Sequence, residues 1–230
     1  SSFLNSIKKK RSVFVVGQCA AQFTPGMDDI SAYDLLISSL PHYVERFRAL
    51  GKAAEYLPLG FESRILALTP RADRGYDVVH IGGYGGVHTE RNTILEKIAD
   101  RVPIDFWGYG EEGLPQTSPI LKRFHGFVGG LPMYKILKSA KICVTSHVRN
   151  VASGYSNNMR LFESTGMGTL LLTDAGKNLG TLFDVGRELE TYKDADELVE
   201  KITYYLGHES ERAQIAQRGQ QKTLSSHTWK

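Results

Sequence analysis

The segment from Asn158 to Asp174 constrains this chain most, because a short amphipathic helix passes through glycines straight into an apolar strand. Asn157 or Asn158 is a suitable N-cap, Leu161 and Phe162 can face a core, and Gly166 and Gly168 stop the helix. Thr169 to Thr173 then reads as a strand covered on both faces, the habit of parallel sheets. Such a helix presents its first N–H groups, at Asn158 and Met159, to whatever lies in front of it. Arg160 and Glu163 stand three residues apart on it. On a solvated face that pair is worth only about 0.2–0.5 kcal/mol. Beside a buried helix end, the same carboxylate is well suited to accept hydrogen bonds from paired hydroxyls.

Strand and helix patterns alternate through most of the chain, which predicts an α/β protein with a Rossmann-like parallel sheet and helices on both faces. Residues 13–17, 33–38 and 53–57 read as strands, with a helix over 41–50 between Pro41 and Gly51. Periodicity fades over 60–75, the place for a linker. A second series follows: strands at 77–81, 104–107, near 124–128, 142–146, 169–173 and 188–192, and helices over 89–101, 132–140, 196–206 and 209 to about 223. The expected division is a partial set of β/α units over 1–60 and a main domain over 61–230.

Composition narrows the class of partner. A net charge of +3 with a pI near 8.7 is no nucleic-acid footprint, and the basic run Lys8 to Arg11 reads as a solvated turn. Cys19 and Cys143 are isolated thiols near predicted strands, as expected of reduced core residues in a cytoplasmic protein. No apolar run approaches the roughly 20 residues that span a bilayer, and no signal peptide is legible. The chain does not start with Met, so it reads as a fragment.

Gly82 to Gly86 lies between a strand and a helix, where glycines let backbone approach a phosphate. A dinucleotide fingerprint counted from Gly83 would need glycine where His88 stands, and no Walker lysine follows. Flexible turn and ligand loop are equally good readings. His88 and Arg91 share one face of the next helix start, so Arg91 can clamp a diphosphate and His88 can reach the same place. Asp194 and Asp196 spell D-x-D, a divalent-metal motif. Their place between a strand and an amphipathic helix favours a cap and a first-turn acid instead, and no metal site is expected.

Taken together, these residues resemble the C-terminal domain of GT-B glycosyltransferases, as in family 4-type enzymes and the spore-maturation (CgeB-type) glycosyltransferase-like proteins. The resemblance covers roughly residues 77 to 230: Val79 to Gly83 with His88 and Arg91, Pro103 to Gly108, Gly126 to Val128 followed by Met133 to Leu137, Asn158 to Asp174, and Tyr192 to Trp229. Residues 1–60 resemble the end of the family's N-terminal, acceptor-side domain, most of which lies outside this sequence.

The resemblance implies transfer of a sugar from a nucleoside-diphosphate sugar to a sugar or polysaccharide precursor, a glycan or glycolipid, without cofactor or metal. Glu163 would hold the ribose. Arg160, Arg91 and the N–H groups near Asn157, Asn158 and Met159 would face the diphosphate, with Gly82 and Gly83 beside it. Gly108 and Val128 would frame the base, and His88 joins Glu163 and Arg160 at the reaction centre. Tyr155 stands where family 4 enzymes carry the first of two glutamates. Two alternatives share the fold, a non-catalytic nucleotide-sugar-binding or assembly module and a sugar-nucleotide epimerase. Self-association is compatible with each.

Overall fold

The computed structural model describes residues 2–20, 23–24, 29–70, 75–147 and 154–229. The chain forms two compact units that divide between Leu59 and Gly60. The first begins with helix α1 (Ser2–Lys10) and carries a parallel sheet of β1 (Val16–Gln18), β2 (Leu35–Ser38) and β3 (Ala54–Tyr56), in that order, with α2 (Pro41–Ala49) joining β2 to β3. Tyr43, Val44 and Phe47 of α2 are its buried face, and Phe23 packs edge-on against Tyr43 and Phe47. The run at Lys8 is not a turn. Lys8, Lys9 and Lys10 form the last turn of α1, where cations suit the helix dipole, and Lys8 pairs with Asp34.

The second unit includes a short helix α3 (Ile65–Leu68) inside the segment expected to be a linker, of which 71–74 lie outside the described residues. It comprises β4 (Tyr76–Gly83), α4 (Thr89–Ala99), β5 (Ile104–Tyr109), α5 (Gly130–Ser139), β6 (Ala140–Val144), α6 (Met159–Gly166), β7 (Leu170–Asp174), α7 (Leu179–Leu182), β8 (Glu190–Tyr192), α8 (Ala195–Gly207) and α9 (Glu209–Ser226). All five strands are parallel, in the order β5-β4-β6-β7-β8. Val78, Ile142, Val144, Leu170 and Leu172 face Leu95 and Ile98 of α4 and Leu198 and Ile202 of α8 in one core. Helices α5 and α6 pack together. Among the described residues no helix is long and apolar enough to cross a membrane.

The strand expected near 124–128 does not form. Phe124 makes one bridge to Phe106, and Gly126 then takes φ +82°, a turn that no continuing ladder admits. His125 and Gly126 still hydrogen-bond the end of β5, which holds this segment against Gly108.

Candidate functional site

Strand order places the candidate site. From β4 the chain adds β5 on one side and then β6 on the other, and ligands of open α/β sheets bind at the carboxyl ends of strands where the order reverses. Pairing of β4 with β6 ends at Val79 and Cys143, while pairing with β5 runs on to Gly83 and Tyr109. Past Val79, two guanidiniums cover β4: Arg160 Nη2 donates to the Ile81 carbonyl at 3.3 Å, and Arg91 Nη2 donates to that of Gly83. They come from opposite faces, Arg160 from α6 beside Met133 of α5, and Arg91 from α4.

On the α6 side, Asn158 rather than Asn157 is the cap. Its Oδ1 accepts from the Arg160 N–H at 2.8 Å, and its Nδ2 donates to Thr145 Oγ1 at 3.0 Å, tying the helix start to the end of β6. Met159 opens the helix. Arg160 Nη1 and Glu163 Oε2 lie 2.8 Å apart with side chains only 12% and 11% exposed, so the solvated-face reading of this pair does not hold. Tyr134 donates its hydroxyl to Glu163 Oε1 at 3.1 Å, and burial together with the Glu163 charge pushes its pKa up to about 12. The Tyr134 proton therefore stays in place, and each Glu163 oxygen keeps spare acceptor capacity. The preceding segment, 148–157, lies partly outside the described residues. Tyr155 is half-buried, with the Lys177 ammonium 5.5 Å from its ring centre.

On the α4 side, His80 is fully buried. Its Nδ1 lies 2.9 Å from the Val144 carbonyl, and burial and the Arg91 charge drive its pKa well below normal, so it is neutral. Gly82 must lack a side chain, because a Cβ there would lie 2.9 Å from His80 Nε2. At Gly83 a Cβ would meet His88 Nε2 at the same distance. His88 is itself neutral near pH 7, burial and Arg91 lowering its pKa to about 4. Gly108 is a packing requirement: with φ +145°, its Cβ would sit 1.6 Å from the Gly82 carbonyl oxygen. Val128 is half-buried in the segment held against Gly108, between exposed Phe127 and the start of α5.

Asp194 caps α8 by accepting from the Glu197 N–H at 2.9 Å, and Asp196 forms an exposed pair with Arg101. Among the described residues no three His, Cys, Asp or Glu side chains cluster as metal ligands would. The sequence did not disclose the role of Tyr134 or the pairing of His147 with Asp174. The only available signal for the latter was that each residue directly follows a strand expected from the sequence, at 142–146 and 169–173.

A family model described as glycosyl transferase-like matches residues 91–230. The chain belongs to that family. Among solved structures, this glycosyl transferase-like chain is similar to sucrose-phosphate synthase of Thermosynechococcus elongatus, at 13% identity and TM-score 0.66, over 97% of this chain and 66% of that one. Anabaena HepE in complex with UDP and glucose gives 13% identity and TM-score 0.68, over 97% of this chain and 69% of that one. For the pneumococcal O-GlcNAc transferase GtfA in complex with UDP and GlcNAc the values are 11% and 0.58, over 95% and 50%. At such identities the likeness is one of fold, the GT-B type, and the chain spans about half to two thirds of these neighbours. No curated protein matches.

Proposed function

We propose that this chain binds a nucleoside-diphosphate sugar at the carboxyl edge of its five-stranded sheet and is the donor-binding part of a metal-independent, cytoplasmic glycosyltransferase. The observation that carries the reading is the buried Arg160–Glu163 pair behind the capped start of α6, at the point where strand order reverses. Glu163, fixed by Arg160 and Tyr134, accepts the two ribose hydroxyls. Arg160, the first N–H groups of α6 and, from across β4, Arg91 face the diphosphate. As the glycosidic C–O bond breaks, negative charge grows on the leaving diphosphate, and fixed guanidiniums and a helix N-terminus stabilise it without reorganising. Neutral His88 beside Gly83 hydrogen-bonds the same group, and the segment from Gly126 to Val128 with Gly108 flanks the base. The acceptor is a sugar or polysaccharide precursor, either glycan or glycolipid.

HepE and GtfA were both crystallised with UDP, so UDP and its sugars are the first ligands to try, with GDP and ADP beside them. Calorimetry is expected to show one nucleoside diphosphate bound, and binding weakened at least tenfold in Arg160→Ala. A folded chain that binds none of them would refute the reading. Nucleotide release that accelerates with acceptor separates a transferase from a non-catalytic binder, and isomerised but unreleased sugar would identify an epimerase.

A further inference from the structure

Phe61 is the second residue of the second unit and lies outside its five-stranded sheet, yet it is only 1% exposed. A bridge to Thr228, just past the end of α9, holds its backbone. The Phe61 N–H donates to the His227 carbonyl at 2.7 Å, and its carbonyl accepts from the Trp229 N–H at 3.2 Å, so both polar groups are satisfied without a sheet. His227 is tied down in turn. Its ring centre lies 5.1 and 5.2 Å from those of Phe162 and Phe183, and its Nε2 lies 2.9 Å from the Leu182 carbonyl. Gly60 leaves room for this strap, since a Cβ there would stand 3.2 Å from the His227 carbonyl oxygen and 3.3 Å from the Trp229 ring.

The ring so fixed touches both helices that carry the Glu163 contacts. A Cβ on Gly166, the last residue of α6, would lie 2.7 Å from it, so α6 ends in glycine where Phe61 crosses. Towards α5, the Phe61 and Tyr134 rings meet at 67° with centres 6.2 Å apart, an edge-to-face pair. Tyr134 is only half-buried, so its other surroundings do not confine the ring on every side. A change of χ1 well would carry its hydroxyl several ångströms away from Glu163. That hydroxyl matters for direction as well as strength. Arg160 holds Glu163 Oε2, and Tyr134 holds Oε1. A carboxylate held at one oxygen turns about its last bond, whose torsion is broad, whereas one held at both keeps a fixed plane. Receiving two neighbouring hydroxyls requires that plane.

We propose that Phe61 is a positioning residue for nucleotide binding: strapped by residues 227–229, its ring keeps the Tyr134 hydroxyl on Glu163 and so fixes the plane of the carboxylate. The inference rests on the donor reading, in which Glu163 accepts the ribose hydroxyls. It adds to that reading a dependence on two segments remote from Glu163 in sequence, one before β4 and one after α9.

The test measures by calorimetry the affinity of the full chain for UDP, GDP and ADP, each beside its 2′,3′-dideoxy analogue. The wild-type chain is expected to prefer the ribose form of the nucleotide it binds by at least about tenfold. Phe61→Leu should reduce that preference about three- to tenfold, while affinity for the dideoxy form changes less than about twofold. A purely structural role would weaken both forms alike. Tyr134→Phe should give a similar reduction, and Phe61→Leu added to it should reduce the preference no further, because both act through one hydroxyl. Should Phe61→Leu fail to fold, Trp229→Ala, which loosens the strap from its exposed side, is read by the same ratio. An unchanged preference, equal losses for the two forms, or additive losses in the combined variant would overturn the inference while leaving the donor reading in place. A wild-type chain that binds no nucleotide removes the donor reading, and one that binds without preferring ribose removes the Glu163 assignment; the inference falls with either.

Discussion

Removing the Glu163 carboxylate tests both the packing and the function assigned to it. In Glu163→Ala the Arg160 guanidinium keeps a weak contact to the Ile81 carbonyl and the Met133 sulfur but has no anion, and the Tyr134 hydroxyl loses its acceptor. Breaking a buried ion pair from one side costs about 3–5 kcal/mol. Both side chains retain a little solvent access, which argues for the lower end of that range, so the expected loss is about 3 kcal/mol. For a chain of this size that corresponds to a fall in Tm of roughly 6–12 °C. Urea unfolding followed by circular dichroism would measure it, with scanning calorimetry for Tm. Arg160→Met combined with Glu163→Ala should recover part of the loss, since no charge is then stranded. Nucleoside diphosphate affinity should fall by a further 1.5–3 kcal/mol, roughly the contribution of hydrogen bonds to a charged group. A stability loss of about 0.5 kcal/mol or less, the level of a solvated helical pair, would refute the burial argument. Unchanged nucleotide affinity in a folded variant would refute the ribose assignment.

Other perturbations have equally definite outcomes. Gly108→Ala should cost more than about 4 kcal/mol and yield little soluble protein, whereas Gly86→Ala, with φ +59° and open space around it, should cost about 1–2 kcal/mol; similar expression and Tm for the two would contradict the close approach of β4 and β5. Because folded His80 and His88 resist protonation, the unfolded chain alone takes up protons as pH drops below about 6.5, so stability should fall from there towards pH 4. Thermal unfolding at pH 7.5 and 5.0 should show this loss, and His80→Gln should reduce it; a flat wild-type profile would count against the buried neutral imidazoles. Asp196→Asn removes only an exposed pair with Arg101, so stability should change by no more than about 1 kcal/mol, with donor binding unaltered in excess chelator. Binding that requires added manganese would restore the D-x-D reading.

Much of this architecture is local and was therefore legible in the sequence. The alternation of apolar strands with capped helices announces a parallel α/β sheet, and Asn158 and Gly168 mark the ends of one helix because capping and left-handed turns depend on a few neighbouring residues. Asp194 was readable as a cap for the same reason. Where local pattern misled, a non-local fact overruled it: 124–128 has strand-like composition but meets β5 through one bridge before Gly126 turns away. At the site, spacing alone could pair Arg160 with Glu163 but could not tell a solvated pair from a buried one, since burial depends on Tyr134 and Met133 of another helix. The order β5-β4-β6-β7-β8 lies beyond sequence pattern altogether. It brings Arg91 and Arg160 to carbonyls of one strand and sets His147 against Asp174, 27 residues away. Periodicity determines which elements form and which face of each is apolar; only packing of those faces into one core decides which strand ends become neighbours, and the site is made of strand ends.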